Sequence, residues 1–138
     1  TRRDRDYLKS MIQLGENVHL RDVTSAFAVL ALCGPMSREI LSSVSNIDFR
    51  DQAFGFGTLQ HFNIGHAPVF AQRISYTGEL GWEIFISPDF AEHVFDCLIK
   101  AGGPHGMQLV GGEALNALRI SAGFIHWGHD ISYAEAPH

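Results

Sequence analysis

The stretch Arg73-Ile-Ser-Tyr-Thr-Gly-Glu-Leu-Gly-Trp-Glu-Ile84 joins two alternating apolar runs through Thr77-Gly78-Glu79-Leu80-Gly81. Side chains alternate across a strand, so Phe70, Gln72, Ile74 and Tyr76 share one face of the first run, and Ala71, Arg73 and Ser75 the other. On the second run Trp82, Ile84 and Ile86 oppose Glu83 and Phe85. The two glycines permit the positive φ values of a tight reversal, which predicts a hairpin turning near Glu79. In that register Ser75 faces Glu83, and Arg73 lies diagonally from it within reach of a long side chain. Glu83 then sits amid Trp82, Ile84, Phe85 and Ile86, where a carboxylate without a partner is costly. Two readings stay open: an Arg73–Glu83 ion pair that tolerates burial, or an acid kept for a ligand.

Elsewhere the pattern alternates between helical and extended periods. Tyr7, Leu8, Met11 and Ile12 repeat at helical spacing, with Gly15 as the stop. Val18 to Val23 and Ala26 to Leu32 are expected to pair as a hairpin around Thr24-Ser25. Gly34 and Pro35 then open a helix whose inner face carries Met36, Ile40, Leu41 and Val44. Phe54 to Gly57 reads as a loop with aromatic anchors, and Thr58 to Ile64 as a strand turning at Gly65-His66 into the principal hairpin. Ser87 is expected to cap a helix with Pro88 in its first turn, Phe90, Val94, Phe95 and Leu98 inward, and Gly102-Gly103 at its end. A last helix from about Glu113 to Ala122 turns Leu115, Leu118 and Ala122 inward and stops at Gly123. Hairpin-connected strands with helices between and after them predict an α+β fold, an antiparallel sheet with helices on one face in ferredoxin-like layers.

A chain of 138 residues, 46% apolar and 18% charged, suits one module with one core and excludes a disordered or fibrous chain. A net charge of −5, with Arg2, Arg3 and Arg5 interrupted by Asp4 and Asp6, argues against a nucleic-acid surface. No apolar run approaches the ~20 residues that span a bilayer, and the start lacks a signal-peptide pattern, so no membrane partner is expected. Cys33 and Cys97 fall in apolar runs without metal spacing and read as buried thiols of a reducing compartment. Neither His61 with His66 nor His126 with His129 is joined by an acid or thiol in a zinc pattern, so no metal is expected. Gly55-Phe56-Gly57 lacks the strand, helix start and third glycine of a phosphate loop.

The hairpin block closely resembles one from the aminomethyltransferase family, which includes the glycine-cleavage T-protein and the folate-binding part of dimethylglycine and sarcosine dehydrogenases. Three further stretches agree, in the family's order. Leu32-Cys-Gly-Pro-Met-Ser-Arg-Glu-Ile-Leu41 is similar to its Gly-Pro-x-Ser-Arg helix start, and Gly112-Glu-Ala-Leu-Asn-Ala-Leu-Arg119 to its Ala-Leu-x-x-Leu-Arg helix. Gly123-Phe-Ile-His-Trp-Gly-His-Asp-Ile131 is similar to the Gly-Tyr-x-x-Trp-Gly-x-Asp-Ile segment that follows. The wording around Tyr76 to Glu83 leans toward the dehydrogenase branch.

The resemblance implies a tetrahydrofolate site. A pterin offers neighbouring N–H donors whose spacing matches the two oxygens of one carboxylate. In the family the second glutamate of the block binds the pterin and the tyrosine seven positions earlier lines the same site, which maps onto Glu83 and Tyr76. Glu79 falls in the turn, where a solvated acid needs no ligand to explain it. Arg119 could anchor an anionic group or pair with Glu113 or Glu83. His126 and Trp127 read as pocket wall or packing, and Trp127 joins Glu83, Tyr76, Arg119 and Glu79 as candidate contacts of the cofactor. Two departures stand out. Leu115 occupies a position where T-proteins carry an arginine, and Ser121-Ala122 replaces a Glu-Lys pair, which suggests diminished or altered activity.

The expectation is therefore the tetrahydrofolate-binding portion of an aminomethyltransferase-type protein, moving a one-carbon unit from a small amine-derived substrate of sarcosine, dimethylglycine or glycine catabolism. A chain running from Thr1 to His138 reads as a piece of a longer protein. The family's transfer-assisting aspartate is expected upstream, a β-rich domain downstream, and any FAD in other domains of the parent. The catalytic residues are not identifiable here, and the module alone is not expected to be active. Cytoplasm of a bacterium or mitochondrial matrix fits. The alternatives are a non-catalytic folate-binding or regulatory module of the same fold, and a tetrahydrofolate-dependent methyltransferase or demethylase acting on another small donor.

Overall fold

A computed structural model describes residues 2–132. Four antiparallel strands form one sheet: β1 (Ala28–Cys33), β2 (Leu59–Ile64), β3 (Ala67–Gln72) and β4 (Gly81–Ile86), in the order β1-β4-β3-β2. The four helices are α1 (Arg2–Met11), α2 (Ser37–Val44), α3 (Ala91–Gly102) and α4 (Gly112–Ser121). The sheet has one dry face. Leu32, Phe62, Ile64, Ala67, Val69, Ala71, Trp82, Ile84 and Ile86 pack there with Ile40 and Leu41 of α2, Val94 and Leu98 of α3, and Phe49 and Phe54 from the loop between α2 and β2. Trp82 lies at its centre, with the Phe49 ring edge-on at 5.7 Å and the Phe54 ring at 6.0 Å. This is the expected antiparallel α+β layering, produced by period-two alternation in the strands and by the helical apolar faces of α2 and α3.

The principal hairpin is wider than expected. Gln72, not Ser75, stands opposite Glu83, so residues 73–80 form a long connection and Ile74 and Tyr76 lie outside the strand. Arg73 is the cause. Its N–H donates to Thr58 O and its carbonyl accepts from Gly57 N, while Ile74 N–H donates to Gln72 O and closes a three-residue turn that ends β3. Its guanidinium donates to Phe54 O at 2.8 Å, pairs with Asp51 at 2.8 Å and lies 5.7 Å over the Trp82 ring. Of the two readings left open for Glu83, the Arg73–Glu83 ion pair is not found among the described residues. Asp51 also accepts from Arg38, and the two guanidinium groups, Arg38 first, hold its carboxyl below the usual range.

Other expectations shift as well. Val18 to Val23 is not a strand, and among the described residues β1 pairs only with β4. Asp22 accepts from both the Thr24 N–H and its hydroxyl, which sets a 3-10 turn over Thr24–Ala26 where the hairpin was expected. Met36 and Phe56 are exposed, Ser87 makes no capping hydrogen bond, and a 3-10 turn over Pro88–Phe90 leads into α3. Both cysteines are free and half-buried. In α4, Leu115 and Leu118 are partly exposed along an apolar cleft with Leu30 and Leu98, Ala122 just past its end is exposed, and the buried residue is Arg119. No helix among the described residues is long and apolar enough to cross a membrane.

Candidate functional site

The second face of the sheet is largely open, with α1 and the segment before β1 beside Val29 and Phe85, and its register places the hairpin acid on inner strand β4 in the last row of the β3–β4 ladder. Side chains directly opposite one another share a face, so one row runs His61, Phe70, Phe85, Val29 and the next runs Leu59, Gln72, Glu83, Ala31. Phe70 and Phe85 stack at 4.8 Å with planes 4° apart, and Phe27 meets Phe70 edge-on at 5.1 Å. Glu83 is half-buried beside this aromatic row, on the face opposite Trp82 and Ile84. Its carboxylate makes no ion pair or hydrogen bond with any described residue. Ala31 flanks it on one side with a single methyl group, leaving room above the sheet, and the Gln72 amide flanks it on the other.

Gly81 lies two residues before Glu83 on the same face and lets the long connection approach it. A Cβ built on Gly81 would lie 3.0 Å from Cys33 Cβ, 3.0 Å from Leu32 O and 3.1 Å from Ser75 Cβ. Only hydrogen at this position lets Ser75 sit so close. The Ser75 hydroxyl lies 2.9 Å from that of Thr77 and accepts from the Thr77 N–H, fixing the segment that presents Tyr76. Gly78, at φ +76°, lets the same segment touch α4: its missing Cβ would meet Ala122 Cβ at 3.0 Å and the Phe124 ring at 3.3 Å. Tyr76 is consequently walled by Phe124, its ring centroid 6.3 Å away and nearly parallel, and by His126 at 6.1 Å, edge-on.

Arg119 is buried and holds that wall. Its Nε donates to Asn116 Oδ1 at 2.9 Å and its terminal nitrogens to Phe124 O at 3.0 Å and to both oxygens of Asp130. Asp130 also accepts from His126 N–H at 2.7 Å and contacts His129 Nδ1 at 3.0 Å. The Arg119 guanidinium first, then the His126 amide and His129, hold the Asp130 carboxyl well below the ordinary carboxylate range. Asp130 is therefore the partner of Arg119, where the sequence left open an anionic group or a pairing with Glu113 or Glu83. A guanidinium engaged by four acceptors is spent on the protein itself.

Of the five candidate contacts, Glu83 stands on the open face of β4, and Tyr76 lies on the long connection, next to the Ser75 that packs against Gly81. Glu79 is exposed on the connection, its carboxylate 3.8 Å from where a Gly34 Cβ would stand. Trp127 is half-exposed and bridges to Ile131, in the loop that Asp130 closes. Ala31, Phe124 and Asp130 escaped the sequence reading. Ala31 was legible from alternation with Leu30 and Leu32, whereas the link between Arg119 and Asp130 requires the fold. Among the described residues no three His, Cys, Asp or Glu side chains gather closely enough to hold a metal ion.

Comparison with known proteins converges on one family. The chain is 38% identical over 118 residues to mitochondrial dimethylglycine dehydrogenase of Mus musculus, a match covering 86% of this chain and 14% of that protein. It is 39% identical over 108 residues to the aminomethyltransferase of Halothermothrix orenii, covering 76% of this chain and 29% of that one. It thus spans less than a third of the length of either relative. Its fold is similar to that of a chain of the heterotetrameric sarcosine oxidase from Corynebacterium sp. U-96 in complex with pyrrole 2-carboxylate, with TM-score 0.60, 25% identity, and coverage of 71% of this chain and 49% of that chain. The family model for the GCVT N-terminal domain matches residues 1–138, and the chain belongs to that family.

Proposed function

We propose that residues 1–138 form one module of a folate-dependent protein and hold the pterin end of tetrahydrofolate on the open sheet face, with Glu83 as its anchor. The observation that carries this reading is the Glu83 carboxylate, unpaired among the described residues, in the last row of the β3–β4 ladder, beside Ala31 and one row from stacked Phe70 and Phe85. An anion kept half-buried without a partner is poised for a donor pair from a ligand, and a pterin supplies one. Tyr76, with Phe124 and His126 behind it, would line the next part of the ligand. Glu79 and Trp127 would lie at the rim. Bound tetrahydrofolate would supply the nucleophilic nitrogen that accepts a one-carbon unit from a small amine-derived substrate, in the manner of the sarcosine and dimethylglycine enzymes. The module's own contribution is binding, orientation and exclusion of water. Any flavin, and the base that assists transfer, would belong to other parts of the parent protein, in a mitochondrial matrix or bacterial cytoplasm.

A second reading, a folate-binding or regulatory module without transfer activity, is favoured by Arg119 and Leu115. The arginine is committed to Asp130, and Leu115 stands where T-proteins offer a cation, so α4 presents neither of these positions to an anionic ligand. Calorimetric titration with 5-formyltetrahydrofolate tests the shared premise. Binding is expected for the wild type and its loss for Glu83→Gln with an unchanged melting temperature. Wild-type binding that survives Glu83→Gln would refute the assignment of the pterin anchor.

A further inference from the structure

We infer that Asp130 is a positioning residue for this site, setting Phe124 and His126 against Tyr76 through Arg119 and the His126 amide. The ligand's identity rests on the folate reading above, whereas the positioning itself rests on the geometry alone.

Three observations converge. First, apolar packing holds α4 only loosely: Leu115 and Leu118 line an apolar cleft with Leu30 and Leu98 but stay partly exposed, Ile120 is exposed, and the residue the helix buries is Arg119. Second, the Arg119 guanidinium ties three separate points together: Asn116 within the helix, the Phe124 carbonyl at the start of the loop, and the Asp130 carboxylate near its end. Third, the second Asp130 oxygen reaches back across the loop to the His126 N–H, while His129 N and Asp130 N both donate to His126 O. The loop is thereby wound around one carboxylate. Phe124 and His126, the two rings that wall Tyr76, are the residues whose backbones this network grips. Without the carboxylate, a buried guanidinium loses its counter-charge, and the loop loses both its long-range tie and its internal one. Among the described residues Asp130 bonds to no sheet or core residue other than Arg119, so its effect is expected at the wall of the site.

The distinguishing variants are Asp130→Asn, which keeps shape but not charge, and Asp130→Glu, which keeps a charged bidentate acceptor. The first measurement needs no ligand. Ring-to-ring nuclear Overhauser contacts between Tyr76 and both Phe124 and His126 are expected in the wild type, lost in Asp130→Asn and retained in Asp130→Glu. Resonances of the β2–β3–β4 sheet should not move in either variant. The second is affinity for 5-formyltetrahydrofolate, expected to fall about tenfold in Asp130→Asn, equivalent to about 1.4 kcal/mol, and to recover in Asp130→Glu. If Tyr76 keeps its ring contacts in Asp130→Asn, the inference is overturned whatever the affinity. If affinity falls only in step with the folded fraction and Asp130→Glu recovers nothing, the residue is merely structural and the inference also fails. A wild type that shows the ring contacts but binds no folate would uphold the positioning role and refute the folate reading instead.

Discussion

Replacing Gly81 by alanine probes the contact that seats the long connection, and with it Tyr76, against β4. Directly opposed residues in an antiparallel pair normally keep their Cβ atoms about 4.5–5.5 Å apart. At Gly81 and Cys33 the corresponding distance is 3.0 Å, and Leu32 O and Ser75 Cβ crowd the same point at 3.0 and 3.1 Å. Leu32 O is backbone within the sheet and cannot swing aside, so relief must come from separating β1 and β4 or from expelling Ser75. Overpacking of this kind costs about 1–3 kcal/mol. Stiffening the unfolded chain by removing a glycine returns about 0.4–1 kcal/mol. The net loss is about 1–2 kcal/mol, which for a domain of this size lowers the melting temperature by about 3–8 °C. Calorimetric melting of Gly81→Ala against the wild type measures it, and displacement of Ser75 should also move the Tyr76 ring resonances. A variant that melts at or above the wild-type temperature with Tyr76 unmoved would refute the argument.

Arg73→Met should cost about 1–3 kcal/mol in urea denaturation, because it orphans the carbonyl of fully buried Phe54; a loss under about 0.5 kcal/mol would show that water replaces the guanidinium. The Asp51 half of that contact should add little, since Asp51 is exposed and retains Arg38. The Asp130 clamp has a definite pH sense. Its carboxyl is depressed in the folded chain, so its stabilisation is complete above the ordinary value of about 4 and is lost as pH falls through the lower folded value. The His126 amide shift, followed by NMR, should hold steady down to about pH 4 and move only below it; a midpoint at or above about 4 would contradict the assigned network.

The open-face row and the long connection mark where sequence reasoning works and where it stops. Alternation of apolar and polar residues sufficed for β2, β3, β4 and the inner faces of α2 and α3, because those elements bury one face and their period is dictated by that burial. It also put Glu83 on the face opposite Trp82, from parity alone. The register failed by three residues because Arg73 is bound on the β2 side by Phe54 O, Thr58 O and Gly57 N, groups remote in sequence from the hairpin. The helix α4 was legible as a helix, yet its most buried side chain was not: Leu115 and Leu118 only line a partly open apolar cleft, and the residue taken fully inside is charged, since its partner Asp130 follows eleven positions later. Pairings of that kind carry no periodic signature. The segment before β1 misled because Val18, Leu20 and Val23 look like a strand, while the Asp22–Thr24 turn supplies the hydrogen bonds a partner strand would have made.

Strand β1 has one further consequence. Ala-Val-Leu-Ala-Leu-Cys contains no lysine, acid or proline, and among the described residues nothing pairs with its outer edge. A row of backbone donors and acceptors flanked by small apolar side chains is an invitation to any extended chain, and folds commonly blunt such an edge with charge or a bulge. Here the guard against self-association is long-range repulsion from a net charge of −5, which salt weakens. The isolated module should therefore behave as a colloid whose shelf life shortens as ionic strength rises, until something covers that edge.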